Sequence, residues 1–245
     1  ALLAVAFALG FVAFGVGTGV SGTSIGDVLR QIFSGSGNSA GDLSALQKKA
    51  QENPKDSAAQ LAYATGLATA GQPNQAIAVL QKYTAANPKD EAALSQLAAL
   101  WGSVATEARA EAQAAQTAAA QAAATQAPAP SDSPFLQNVG GNKIAEVVTT
   151  DANNRANAAS LRAQNAYRQA ADVYQQLTLL QPNDASVFLQ LGIASQSAQD
   201  YSAAIAAYRQ FLKLAPDDAS APLVKRQLKI LKAQQKAGSS LLPSG

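Results

Sequence analysis

Four regimes of apolar and polar positions divide the chain. Residues 1–26 carry no charge, and the first ionisable side chain is Asp27. Its opening run, ALLAVAFALGFVAFGVGTGV, is about 20 residues, roughly 30 Å as a helix, and so predicts a transmembrane anchor. The alternative is a signal peptide whose apolar region ends near Phe14, with the small residues 15–21 as the cleavage zone. A Gly/Ser-rich linker over residues 27–41 follows. Apolar residues then recur at helical spacing from residue 42 to 236, and residues 237–245 read as a flexible tail. The pattern predicts an all-α chain.

Within the helical region one period dominates. Asn53-Pro54-Lys55-Asp56 returns as Asn87-Pro88-Lys89-Asp90, a shift of 34. Gln181-Pro182-Asn183-Asp184 is followed, again after 34, by Ala215-Pro216-Asp217-Asp218. A proline closing units of this length points to helix–turn–helix repeats, with the acid after it suited to the start of the next helix. One unit covers residues 57–90 and another 185–218. Small residues at Ala64, Ala76, Gly192 and Ala204 let paired helices cross closely, while Leu80, Tyr208 and Phe211 fill the space between them.

These units resemble the tetratricopeptide repeat. In the second, Phe188, Leu191, Gly192, Ala204, Tyr208 and Pro216 stand where the family pattern has an aromatic, Leu, Gly, Ala, Phe and Pro, with Ser195 in place of a Tyr. In the first, Tyr63, Ala64, Leu67, Ala76, Leu80 and Pro88 match, but Gln60 replaces the leading aromatic. The resemblance implies an α-solenoid that binds peptide or protein on a concave face made by the first helix of each repeat. That face would present Leu61, Thr65, Ala68, Leu189, Ile193 and Gln196. Chaperone adaptors of the family clamp a C-terminal carboxylate there with Lys, Arg and Asn. This chain offers none, and its groove suits apolar or neutral polar segments.

Between the two units a repeat is split over residues 91–184. Leu94, Leu97, Ala98 and Trp101 open it, and Ala170, Tyr174, Leu177 and Pro182 close it. The insertion is alanine-rich: alanine fills 13 positions over 103–127, more than half of that stretch. Ala152, Ala156, Ala159, Ala163, Ala166 and Ala170 recur at spacings of four and three, as do Ala105, Ala108, Ala112, Ala115, Ala119 and Ala122. Such stripes predict two antiparallel helices packed through alanine seams. About 24 extra residues per arm would project the hairpin some 35 Å from the stack. The alternative is a disordered alanine-rich linker. The tip, residues 128–150, begins irregularly with APAPSDSP and then carries Phe135, Leu136, Val139 and Ile144. These either meet a partner or membrane or fold back on the hairpin.

Composition narrows the chemistry. The chain has no histidine, cysteine or methionine, and 18 Lys+Arg against 16 Asp+Glu give +2. Imidazole bases, thiol nucleophiles, disulfides and His/Cys metal sites are excluded, and no global field draws nucleic acid. Gly17 to Gly22 spells G-x-G-x-x-G, but no alternating strand–helix context surrounds it to bind a dinucleotide. The Glu107/Glu111 pair, four apart with Arg109 between, reads as a solvated face relieved by that Arg. No catalytic residue, metal ligand or cofactor site is assigned, and no enzyme activity is expected. Residues 219–236 predict a terminal helix with Val224, Leu228 and Leu231 on one face and Lys225, Lys229, Lys232 and Lys236 on another. It reads as a cap that keeps the stack soluble, with an anionic-lipid or acidic-partner surface as the alternative.

Gly15 and Gly19 would let a second membrane helix approach. Only Arg30 is basic between the anchor and Lys48, so the bulk of the chain is expected outside the cytoplasm. The whole resembles bacterial single-pass members of the family. It is expected to be a scaffold or adaptor for protein partners, as an accessory subunit of an envelope complex held to the bilayer by residues 1–26. A self-assembling structural subunit, packed through the membrane helix and hairpin, is the second expectation.

Overall fold

The acid that follows each repeat-closing proline stands at or shortly before the start of a helix. Asp56 accepts a hydrogen bond from the Ala58 N–H (3.0 Å), Asp90 from Ala93 (3.0 Å), Asp184 from Ser186 (2.8 Å) and Asp218 from Ser220 (2.7 Å). The first three thereby take up a donor that the first helical turn leaves unpaired, while Asp218 holds the residue just before the helix that begins at Ala221. In the computed structural model, residues 39–124 and 141–240 are described, and they form eight helices and no strand. These are α1 (Ser39–Glu52), α2 (Ser57–Thr69), α3 (Pro73–Ala86), α4 (Glu91–Ala124), α5 (Gly141–Leu180), α6 (Ala185–Ser197), α7 (Tyr201–Leu214) and α8 (Ala221–Ser240). Among the described residues no helix is long and apolar enough to cross a membrane. The anchor expected over residues 1–26, with Gly15 and Gly19, lies outside them.

The repeat period runs through the helices. α1 stands one period before α3, although the sequence reading assigned it no element and gave residues 39–41 to the linker. α4 begins one period after α2, and α5 ends one period before α7. The pair α6 and α7 copies α2 and α3 in length, with 13 and 14 residues in each pair. The chain divides into two compact units, Ala1–Ala93 and Leu94–Gly245.

In the first unit α1 packs on α2 and α2 on α3. Gln60, the residue in place of an aromatic, is buried and donates through Nε2 to the Ala50 and Asn53 carbonyls at 2.7 and 3.3 Å. Carbonyls at the end of α1 thus find their partner in α2. Its counterpart in the second unit, Phe188, packs on an apolar cluster instead. Tyr83 donates to Asp90 at 2.8 Å. Burial above all, and then this bond, raise the Tyr83 pKa. Burial pushes the Asp90 carboxyl up, but hydrogen bonds from Ser57, the Ala93 N–H and Tyr83 outweigh it and hold the pKa low.

In the second unit α5 packs on α6, α6 on α7 and α7 on α8. Its core joins Ile205, Tyr208 and Phe211 of α7 to Val224, Leu228 and Leu231 of α8. The apolar face of α8 is therefore spent on the fold. α8 also runs to Ser240, so the first four residues of the expected tail are helical.

Beyond the repeat frame, α4 extends over residues 104–124 and α5 over residues 141–166. At 1.5 Å per residue these arms reach about 31 and 39 Å. All six seam alanines of α5 are buried, from Ala152 to Ala170, as are Ala105, Ala108, Ala112 and Ala119 of α4; Ala115 and Ala122 are half-buried at the seam's edge. Arg162 of α5 donates to Glu111 of α4 at 2.7 Å, a contact that the antiparallel register brings together. The relief expected from Arg109 for Glu111 thus comes from Arg162 in the opposite arm. Residues 141–150, read as part of the tip, belong to α5. Once the seam has nucleated a helix, each further residue adds a hydrogen bond at little cost.

Candidate functional site

The two expected recognition rows sit at equivalent places in their own units. On α2, Leu61, Thr65 and Ala68 are half-buried, and the Thr65 hydroxyl donates to the Leu61 carbonyl at 2.9 Å. On α6 the row meets a different fate. Leu189 packs against the α7–α8 core, and the Gln196 Oε1 accepts from the Tyr208 hydroxyl at 2.9 Å. Of that row Ile193 is the residue presented outward, 41% exposed. Burial pushes the Tyr208 pKa up to about 12, so the phenol stays protonated and remains a donor to Gln196. Phe135, Leu136 and Val139 of the tip lie outside the described residues. Ile144 belongs to α5, and its side chain is outside the description.

A second surface has no counterpart in the sequence reading. Where the hairpin arms leave the repeats, a cleft of about 440 Å³ opens in the second unit. Arg109 and Ala112 of α4, Gln164 and Tyr167 of α5, Gln196, Ser197 and Gln199 at the end of α6, and Leu231 and Gln234 of α8 line it. Gln164 ties the hairpin to the α6–α7 turn by donating to the Ala198 carbonyl at 3.3 Å. Arg109 is the one charged residue lining the cleft. Its amide and hydroxyl groups suit a polypeptide backbone, and its cation suits a carboxylate on that segment. No sequence signal marks this site, because its walls come from helices far apart in the chain. Among the described residues no group of acidic side chains is placed to hold a metal ion.

Antiparallel helix pairs of fixed length, recurring at one period along the chain, define an α-helical repeat protein. Two tetratricopeptide-repeat family models match the chain, over residues 35–100 and 158–229. The chain is a tetratricopeptide-repeat protein, with repeats before and after the hairpin in sequence. Among curated proteins none matches it. Repeats of this kind generally mediate the binding of protein partners.

Proposed function

We propose that the protein is a non-catalytic scaffold that holds protein partners at a membrane, as an accessory or assembly subunit of a bacterial envelope complex. The repeats supply binding surfaces, the uncharged segment over residues 1–26 anchors the chain, and the remainder lies outside the cytoplasm. The observation that carries the reading is the cleft at the root of the hairpin, an open, neutral polar recess with one cation. Such a recess suits an extended polypeptide segment better than a reacting small molecule. Exposed Val147 and Val148 of α5 (67% and 47%) support a second reading, self-association through the arms.

The test is native mass spectrometry of the tagged chain extracted gently from its own membranes, beside a variant lacking residues 1–26. A defined complex with other polypeptides that loses its membrane association in the variant is expected. A ladder of homo-oligomers without foreign chains supports the second reading, and an unchanged complex in the shortened variant rejects the anchor.

A further inference from the structure

α8 keeps a second face that the fold does not use. Val224, Leu228 and Leu231 are 3%, 7% and 1% exposed, whereas Leu223 and Ile230 on the other side are 60% and 51% exposed. Those two are seven residues apart, about 10 Å along the helix. Arg226 adjoins them on one side, with Lys229 beyond it and Lys225 and Lys232 farther round the helix; Lys225, Arg226, Lys229 and Lys232 all lie on the solvent side. No acid follows Asp218 in the chain, and among the described residues none of the four cations forms an ion pair.

We infer that this outer face of α8 docks an acidic amphipathic helix of a partner protein, which stacks on the array as one further helix. Two apolar side chains at a seven-residue spacing, with charge of one sign along one side of them, form half of a helix–helix seam. A helix added on this face meets the same ridge-and-groove packing as the internal pairs. Four unpaired cations select carboxylates on the incoming helix and speed its encounter. A lipid surface fits less well. A helix lying in a bilayer interface needs its broad apolar face, and that face is in the core. The inference goes beyond the anchoring and the cleft proposed above and does not depend on either.

The probe is a labelled synthetic helical peptide with Leu at seven-residue spacing and Glu along one flank, titrated against the full chain in uncharged detergent. A peptide with Lys in place of Glu is the control. Anisotropy is expected to report binding of the acidic peptide alone, weakening with added salt. Arg226→Glu with Lys229→Glu, and separately Ile230→Ser, should each weaken it about tenfold or more. These side chains are exposed, and unchanged helicity verifies folding. Binding untouched by these substitutions, or no binding, overturns the inference. So does hydrogen-exchange protection of residues 223–232 in nanodiscs of anionic but not neutral lipid without peptide binding, which assigns the face to lipid. Failure here, with partners still lost on substituting the cleft, leaves the scaffold reading standing.

Discussion

A Cβ placed on Gly192 would sit 2.5 Å from two ring carbons of Tyr208. The α6–α7 crossing is close because that position has no side chain. Gly192→Ala forces the ring or the helix to move, at a cost of about 1–3 kcal/mol against a gain of about 1 from helix propensity. A net loss of up to about 2 kcal/mol is expected, read as a lower urea midpoint. In the first unit the equivalent pair is Ala64 and Leu80, both fully buried. The double variant Gly192→Ala, Tyr208→Leu should therefore recover part of the loss, and a double-mutant cycle measures the coupling. At Gly66 the added Cβ meets the mobile ends of Leu46 and Leu43, so Gly66→Ala should be neutral or stabilising by up to about 1 kcal/mol.

Gln199 holds φ 64°, and its counterpart in the first unit is Gly71 at φ 75°. Both occupy the turn between paired helices, where a side chain opposes the left-handed backbone. Gln199→Gly should stabilise the second unit, and Gly71→Ala destabilise the first, each by about 1 kcal/mol. Nothing lies within 4 Å of a Cβ at Gly71, so its effect isolates backbone conformation from packing. Thermal unfolding by circular dichroism checks both.

Acid should loosen both units through their helix-starting carboxylates. The Asp90 pKa is held low against burial by its hydrogen bonds, and that of Asp200 by the Ala203 N–H and the Ser202 hydroxyl. A depressed folded value means the stabilisation is complete above about pH 5 and is lost as the pH falls through that value. Asp90→Ala removes the cap and the Tyr83 bond. It should cost about 1–2 kcal/mol at neutral pH and flatten the acid limb of stability against pH.

The arms should fail separately from the repeats. Ala159 is fully buried in the seam, and Ala159→Leu should splay α4 from α5. Hydrogen exchange is expected to rise over residues 105–124 and 146–163 while α7 stays protected. Arg162→Ala, which removes an exposed ion pair, should cost about 0.5 kcal/mol or less.

The repeat frame and both alanine seams were legible in the sequence because each depends on a local periodicity. α1 escaped assignment because its apolar residues are sparse, Leu43, Leu46 and Ala50, and no proline–acid pair precedes it; stepping back one period from α3 would have located it. Gln60 showed as a departure from the repeat pattern, but its bonds to the Ala50 and Asn53 carbonyls depend on where α1 ends. On α6 the helical register was legible, yet Leu189 and Gln196 are occupied by α7 and α8. Spacing along one helix gives a side chain's direction and does not report what its neighbours cover. The cleft left no trace for the same reason.

The seam has a consequence for the evolution and engineering of length. Its alanines repeat every seven residues in both arms, and residues 104–124 and 141–166 stand outside the repeat frame. Removing seven residues from each arm at matched places keeps every remaining alanine opposite the same partner row and shortens the hairpin by about 10 Å. The arms are thus a graduated ruler whose end can be set in discrete steps, while the repeats that read partners at its base keep their register.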